Sequence, residues 1–305
     1  MTDQASRQMP AISLVAMPGR RARTVELAVE AERRGFTGIY IPSLGATLAF
    51  CTSIAQATST IRFGPSVQPI YLQHPNELAS TAAFLHEISG GRFELGIGVT
   101  HGPVQERLGV QIGKPLSDMR NYVAALRKLE PAVGPLPPIV LATLRSKMVE
   151  LAGEIAEGAV WANASRSAMA ASLAHLPAGR QEAGFIVANM VPTTIDDDRA
   201  AAAARNRATL SGYVALPNYR NYWMQAGYEE EMLAIKAAID AGERDKVPSL
   251  MSEKWLSDAT LYGSVGEVRE GVERWFDAGV NPILVPSSTK GGQLNAIDEV
   301  FAAFS

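Results

Sequence analysis

The chain has 305 residues, of which 47% are hydrophobic and 19% are charged, the balance of a globular protein that buries a substantial core. Its net charge of -3 provides no basic surface for nucleic acid, which excludes that class of partner. Cys51 is the single cysteine, so the chain forms no internal disulfide and has no cysteine-based metal site.

Strand-like and helix-like segments alternate from the beginning of the chain. The apolar runs predict eight buried strands, which are AISLVAMP (11–18), TGIYIPS (37–43), IRFGPSVQPI (61–70), the glycine-containing run 93–99, IVLAT (139–143), AVWAN (159–163), FIVANMV (185–191) and NPILVPSS (281–288). Apolar spacing and end signals predict helices between them, at 24–35, 50–58, 75–91, 114–129, 146–158, 196–257, 265–279 and 294–304.

Eight short, nearly all-apolar strands separated by helices predict an α/β fold, with a parallel sheet covered by helices. A closed (β/α)8 TIM barrel fits the number of strands and the chain length, and an open doubly wound sheet is the alternative. We expect one domain over residues 1–305, with a helical insertion at about 196–257 before the last strand.

A barrel of this kind places functional groups on the loops that follow the carboxyl ends of the strands. Those loops begin near Pro18, Ser43, Gln68, Val99, Thr143, Asn163, Pro192 and Pro286. The fourth strand carries two glycines, Gly96 and Gly98, which offer no side chain to pack. Glycine inside a strand indicates a bulge or the close approach of another backbone or a ligand.

The amino terminus, MTDQASRQMP, is polar and carries Asp3, so it is not typical of a signal peptide. No apolar run approaches the roughly 20 residues that cross a bilayer. We therefore expect a cytoplasmic protein with no membrane partner, in which Cys51 is a small buried hydrophobic residue.

Four stretches carry a resemblance to a known family. They are IRFGPSVQPIYLQHPNELA (61–79), SGGRFELGIG with the following ERLGV (89–110), SKMVELAGEIAEGAVWANAS (146–165) and SVGEVREGVERWFDAGVNPILVP (264–286). Together they resemble, in order and over nearly the whole chain, the bacterial luciferase-like family of flavin- and deazaflavin-dependent oxidoreductases. The third strand and GVTHGPVQERLG look closer to the branch that uses the deazaflavin coenzyme F420.

The resemblance implies a cofactor ring above the end of the fourth strand, where Gly98, Val99 and Thr100 lie. Ser66 and Val67 fall where related deazaflavin enzymes have a non-proline cis peptide in a bulge behind the ring, and ordinary strand geometry is the alternative. For Gly96, a packing role is equally consistent, since alternate positions of the strand face the outer helices.

The resemblance also implies that the loop after the fifth strand, Ala142, Thr143, Leu144 and Arg145, binds the phosphate of the cofactor. Relatives often have glycine and proline where this chain has Arg145 and Ser146. Free N–H groups at a helix start bind anions, and Arg145 adds a cation that suits an anionic tail. The alternative is a solvated arginine at the start of a helix.

His101 follows the fourth strand at the face where functional groups gather, and it is the candidate catalytic residue. Imidazole donates a proton near neutral pH, although a structural hydrogen-bonding role fits it too. If His101 is not the acid, Tyr71 is the next candidate. His74 is more consistent with helix capping, and the four histidines show no metal-ligand spacing.

These observations predict an oxidoreductase that transfers a hydride between F420 and a small organic substrate. Many deazaflavin enzymes carry an acidic residue or histidine after strand two, where this chain has Pro42-Ser43-Leu44. This departure keeps an FMN-dependent monooxygenase open as the alternative, and a cofactor-binding relative without catalysis as a second one.

The insertion contains an aromatic cluster, made of Tyr213, Tyr219, Tyr222, Trp223 and Tyr228. Such a cluster is consistent with a lid over the site, with a packed helical surface or with a dimer contact. We expect the protein to form a homodimer and to bind a small-molecule substrate.

Overall fold

The computed structural model describes residues 8–43, 45–100, 109–180 and 184–304. In these residues, ten strands alternate with helices along the chain. The strands are β1 (Ala11–Ser13), β2 (Gly38–Ile41), β3 (Arg62–Pro65), β4 (Gln68–Pro69), β5 (Leu95–Gly98), β6 (Ile139–Ala142), β7 (Gly158–Ala162), β8 (Ile186–Ile195), β9 (Leu261–Gly263) and β10 (Asn281–Ser287).

Twelve α-helices occur in the same residues. They are α1 (Arg21–Arg33), α2 (Thr47–Ala57), α3 (Pro75–Ile88), α4 (Pro115–Val133), α5 (Ser146–Ile155), α6 (Met169–Leu173), α7 (Arg199–Val214), α8 (Pro217–Gln225), α9 (Glu229–Asp240), α10 (Glu253–Ala259), α11 (Val265–Asp277) and α12 (Gln293–Ala303). Short 3-10 turns lie at Ile70–Leu72, Arg166–Ala168 and Arg244–Leu250. No helix in the described residues is both long and apolar enough to cross a membrane.

The chain divides into two compact units. The N-terminal unit comprises Ile12–Ala162 and Ala171–Ala188, and the C-terminal unit comprises Met1–Ala11, Asn163–Ala170 and Asn189–Ser305. The expectation of a single domain stays a prediction.

All strand pairings of the N-terminal unit are parallel. β1 pairs with β2 and β2 with β3, while β4, β5, β6 and β7 pair in sequence order. Phe63 forms a parallel bridge with Phe93, which joins β3 to the segment that leads into β5. Parallel strands with helical crossovers are buried on both faces, which explains their nearly continuous apolar sequences.

In the C-terminal unit, β8 is a neighbour of β10 in the sheet, and it also pairs with β9 in parallel. The expected helical region between β8 and the last strand contains four α-helices, α7 to α10. The three-residue strand β9 follows them and was not predicted, because three residues are too few to show a periodicity.

Helix ends follow the expected side-chain chemistry. The aspartates at 196–198 begin a helix as predicted, since the side chain of Asp198 accepts hydrogen bonds from the backbone N–H groups of Ala200 and Ala201. His74 caps α3, as expected, through its Nδ1, which accepts the N–H of Asn76 at 3.3 Å. Cys51 is fully buried, and burial raises the pKa of its thiol, which confirms the structural interpretation.

Candidate functional site

A bulge separates β3 from β4, where the sequence predicted one continuous strand. The peptide bond between Ser66 and Val67 is cis, the geometry that the family resemblance implied. The end of β2 holds this bulge through two hydrogen bonds. The N–H of Ser66 donates to the carbonyl of Ile41 at 2.7 Å, and the Ser43 hydroxyl donates to the carbonyl of Val67. Ser43, which follows β2, thus contacts the bulge.

The two glycines of β5, Gly96 and Gly98, lie where neighbouring groups leave no room for a side chain. A Cβ on Gly96 would lie 2.0 Å from the carbonyl oxygen of Pro65, so Gly96 lets the backbones of β3 and β5 come close. A Cβ on Gly98 would lie 2.7 Å from Val67 Cγ2 and 2.8 Å from Ala142 Cβ. The packing role is therefore the one shown for Gly96, whereas Gly98 lies between two of the predicted cofactor residues.

The parallel register brings these predicted residues to one edge of the sheet. Pro69 pairs with Gly98, and Ile97 pairs with Leu141, one residue before Ala142. Val67, just beyond β3, therefore forms one narrow apolar group with Gly98 and Ala142, the last residues of β5 and β6. Val99 and Thr100 continue directly from Gly98. Ligands of parallel α/β sheets bind beyond these strand ends.

The predicted phosphate loop runs from the end of β6 into α5. Thr143 is buried, and its N–H donates to the carbonyl of Val160 at 2.8 Å, which fixes the loop to β7. Leu144 follows, and Arg145 is an exposed N-cap residue whose side chain makes no capping bond. The first N–H groups of an α-helix lack partners within the helix, so this helix start is suited to an anion.

The candidate catalytic residue, His101, lies outside the described residues, so its catalytic role stays a prediction. In the described residues no group of three or more histidine, cysteine, aspartate or glutamate side chains is arranged to bind a metal.

Sequence reasoning missed a carboxylate beside the site. Asp118, in the first turn of α4, accepts the phenol O–H of Tyr71 at 2.7 Å and the N–H of Gly113 at 2.9 Å, both at Oδ2. Burial raises the pKa of Tyr71, and the hydrogen bond and negative charge of Asp118 raise it further. An acidic residue at a helix start is favourable on its own, so its position in the sequence gave no signal of a distant partner.

The aromatic cluster of the insertion lies in the C-terminal unit and is packed. Tyr219, Tyr222, Trp223 and Tyr228 are each at most 5% exposed, and the Tyr213 ring meets Tyr219 edge-on at 5.1 Å. Of the three interpretations, burial favours the packed helical surface.

Polar groups of this cluster hold the loop after β7. The Tyr222 hydroxyl accepts the N–H of Ser165 at 3.0 Å, and Trp223 Nε1 donates to the carbonyl of Asn163 at 3.1 Å. Asp258 accepts the N–H and the hydroxyl of Ser167 at 3.0 and 2.6 Å, and also the Tyr228 hydroxyl at 2.8 Å.

Comparison with known proteins gives the same picture of the family. A family model described as luciferase-like monooxygenase matches residues 5–282. The 5,10-methylenetetrahydromethanopterin reductase of Archaeoglobus fulgidus is 27% identical over 269 residues, which cover 77% of this chain and 80% of that protein.

Solved structures show the fold. The coenzyme F420-dependent tetrahydromethanopterin reductase of Methanopyrus kandleri matches with a TM-score of 0.75 and 21% identity, over 96% of this chain and 98% of that one. The oxygenating constituent of 3,6-diketocamphane monooxygenase from Pseudomonas putida, in complex with FMN, matches with a TM-score of 0.60 and 19% identity, over 97% and 96%. These likenesses confirm the predicted fold class, a TIM-barrel α/β fold.

Proposed function

Because the chain belongs to the luciferase-like monooxygenase family, we propose that it is an oxidoreductase that transfers a hydride between coenzyme F420 and a small organic substrate. The observation that carries the proposal is the close approach of Val67 and Ala142 to Gly98, at the carboxyl ends of β5 and β6. A relative of the same fold, the reductase of Methanopyrus kandleri, is F420-dependent by name.

The residues at this edge fit a flat ring. Val67, Gly98 and Ala142 present small apolar groups and one strand position without a Cβ, so a planar ring meets few projecting atoms. Ser66, Val99 and Thr100 adjoin this group and complete the proposed ring site. When bound, the deazaflavin supplies or takes up the hydride. The residues of the chain bind it, orient it and exclude water.

The loop from Ala142 to Arg145 fits the anionic end of the cofactor. Thr143 fixes the loop to β7, so the helix start that follows is held in place. Arg145 is the exposed N-cap residue of α5, so its positive charge belongs to the same helix start as the first N–H groups of that helix. We therefore assign Thr143, Leu144 and Arg145 to phosphate binding.

We assign the proton to His101. Reduction of a substrate carbonyl leaves negative charge on oxygen, which a nearby acid neutralises. Tyr71 is a poor candidate for this task, because its O–H is already donated to Asp118 and its pKa is raised. A group that holds its proton through neutral pH does not deliver it readily.

An FMN-dependent monooxygenase is the second candidate function. Pro42-Ser43-Leu44 follows strand two, where many deazaflavin enzymes carry an acidic residue or histidine, and the fold also matches a monooxygenase structure that contains FMN. The two functions differ first in the cofactor that binds.

A titration separates these candidates. Purified protein is titrated with F420 and, separately, with FMN, and binding is followed by fluorescence quenching. We expect tighter binding of F420. Micromolar binding of FMN without binding of F420 would reverse the ranking, and binding of neither would contradict both.

A further inference from the structure

The carboxylate of Asp118 joins two segments that are far apart in the sequence. Its Oδ2 accepts the hydroxyl of Tyr71, in the 3-10 turn after β4, and the N–H of Gly113, just before α4. One side-chain oxygen therefore ties the turn that follows β4 to the chain that enters α4.

Two further features bring the carboxylate and α4 close to these segments. A Cβ on Gly113 would lie 2.7 Å from Oδ1 of Asp118, so the backbone approaches the carboxylate only because residue 113 is glycine. One helical turn further along α4, the hydroxyl of Tyr122 donates to the carbonyl of Gln73 at 2.8 Å. Positions 118 and 122 share a face of α4, so this face holds the turn at two points.

The tied turn continues directly from the proposed ring site. Tyr71 is two residues after Pro69, which pairs with Gly98, and four residues after Val67. The other side of the bulge is held by β2, through the carbonyl of Ile41 and the hydroxyl of Ser43. The bulge is thus fixed by β2 before it and by α4 after it.

We propose that Asp118 is a positioning residue, whose carboxylate holds the segment Ser66–Pro69 in the geometry that binds the cofactor ring. This proposal rests on the proposed function, and it assigns Asp118 no proton transfer. Both hydrogen bonds end on one oxygen, so the amide oxygen of an asparagine in the same place accepts both of them. A proton relay from Tyr71 to Asp118 would instead require the carboxylate itself.

The test compares Asp118→Asn with Asp118→Ala and Tyr71→Phe. In Asp118→Ala, we expect the dissociation constant of F420 to rise by about tenfold, the effect of losing hydrogen bonds of ordinary strength. In Tyr71→Phe we expect a smaller rise, and in Asp118→Asn a value within about threefold of the wild type. Fluorescence quenching measures the dissociation constant of F420 for the wild type and for each of the three variants.

Hydrogen exchange on the protein without cofactor gives the second measurement. We expect the amides of 66–73 to exchange faster in Asp118→Ala and Tyr71→Phe, and at the wild-type rate in Asp118→Asn. The matched control is Tyr228→Phe, which removes the same kind of bond, from a tyrosine to Asp258 at 2.8 Å, in the C-terminal unit. We expect the control to change neither the exchange of 66–73 nor the affinity for F420.

The outcomes separate the inference from the function. Unchanged exchange and unchanged affinity in Asp118→Ala would overturn the positioning role, as would an Asp118→Asn variant as impaired as Asp118→Ala. Wild-type protein that binds neither F420 nor FMN would overturn the proposed function. In that case, the exchange of 66–73 alone would decide whether Asp118 holds the segment.

Discussion

Asp118 and Asp258 make the same bond in two different regions. Each accepts a tyrosine hydroxyl, at 2.7 and 2.8 Å, and each also accepts a backbone N–H from a loop. Asp258 is only 6% exposed and takes a third hydrogen bond, from the hydroxyl of Ser167, whereas Asp118 is partly exposed and takes two from the residues that the structure describes. The buried carboxylate of Asp258 thus holds the loop after β7 in the protein interior. The partly exposed carboxylate of Asp118 holds the turn after β4, next to the strand ends of the proposed ring site.

The surroundings of the two loops extend the difference. The loop after β7 is also fixed by Tyr222 and Trp223, so its backbone groups are occupied by the insertion. The turn after β4 is further tied by the hydroxyl of Tyr122, which donates to the carbonyl of Gln73. We infer that the first loop serves structure, and that the chemistry belongs to the strand ends of the N-terminal unit.

The largest expected effect concerns that assignment of chemistry. His101→Ala should lower turnover by about 10²–10⁴-fold, the range for losing a general acid, and leave the affinity for cofactor nearly intact. Steady-state kinetics and the cofactor titration measure the two quantities. Loss of affinity instead would mean that His101 binds the cofactor, and loss of neither would return the acid to Tyr71 or another group.

The next effect tests the two carboxylates by stability. Asp258→Ala should lower the free energy of unfolding by about 2–4 kcal/mol, because it leaves buried donors without an acceptor. Asp118→Ala should cost about 1–2 kcal/mol, since water reaches its partly exposed donors. Urea unfolding measures both variants. Equal losses would remove the distinction between the two regions.

A smaller effect is expected at the phosphate loop. Arg145→Ala should weaken cofactor binding by roughly 1–3 kcal/mol, the range for a charge-assisted hydrogen bond. Arg120 serves as the control, because it is exposed on α4 and pairs with Glu154. If the dissociation constant in Arg145→Ala equals that of the control variant, Arg145 faces solvent and does not bind the cofactor.

The smallest effect is on alkaline stability. The pKa values of Tyr71 and Tyr228 are raised above the ordinary value of 10.0. Burial is the larger cause, and the contact with an aspartate is the second. The unfolded chain then releases these protons first, so stability is intact below pH 10 and declines as pH rises through the folded pKa values. Replacing either tyrosine by phenylalanine should flatten this decline, which unfolding at several alkaline pH values measures. An unchanged slope would contradict it.

The fold class was predictable from the sequence because each of the eight predicted strands is a short apolar run that ends in a turn signal. The bulge at Ser66–Val67 and the contact of Gly98 with predicted residues also agree with the family resemblance. Asp118 was not predictable, because its partner Tyr71 is 47 positions away and Asp118 itself belongs to no motif. Contacts between single polar side chains depend on packing, which no local pattern encodes.

Two glycines of the sheet bear on how this protein can be engineered. A Cβ on Gly64 would lie 1.9 Å from the carbonyl oxygen of Glu94, and one on Gly96 would lie 2.0 Å from that of Pro65. Because backbone atoms cannot move aside, a saturation library should recover only glycine at positions 64 and 96. Gly98 is opposed by side chains instead, so a larger residue there becomes possible when Val67 or Ala142 is varied in the same library.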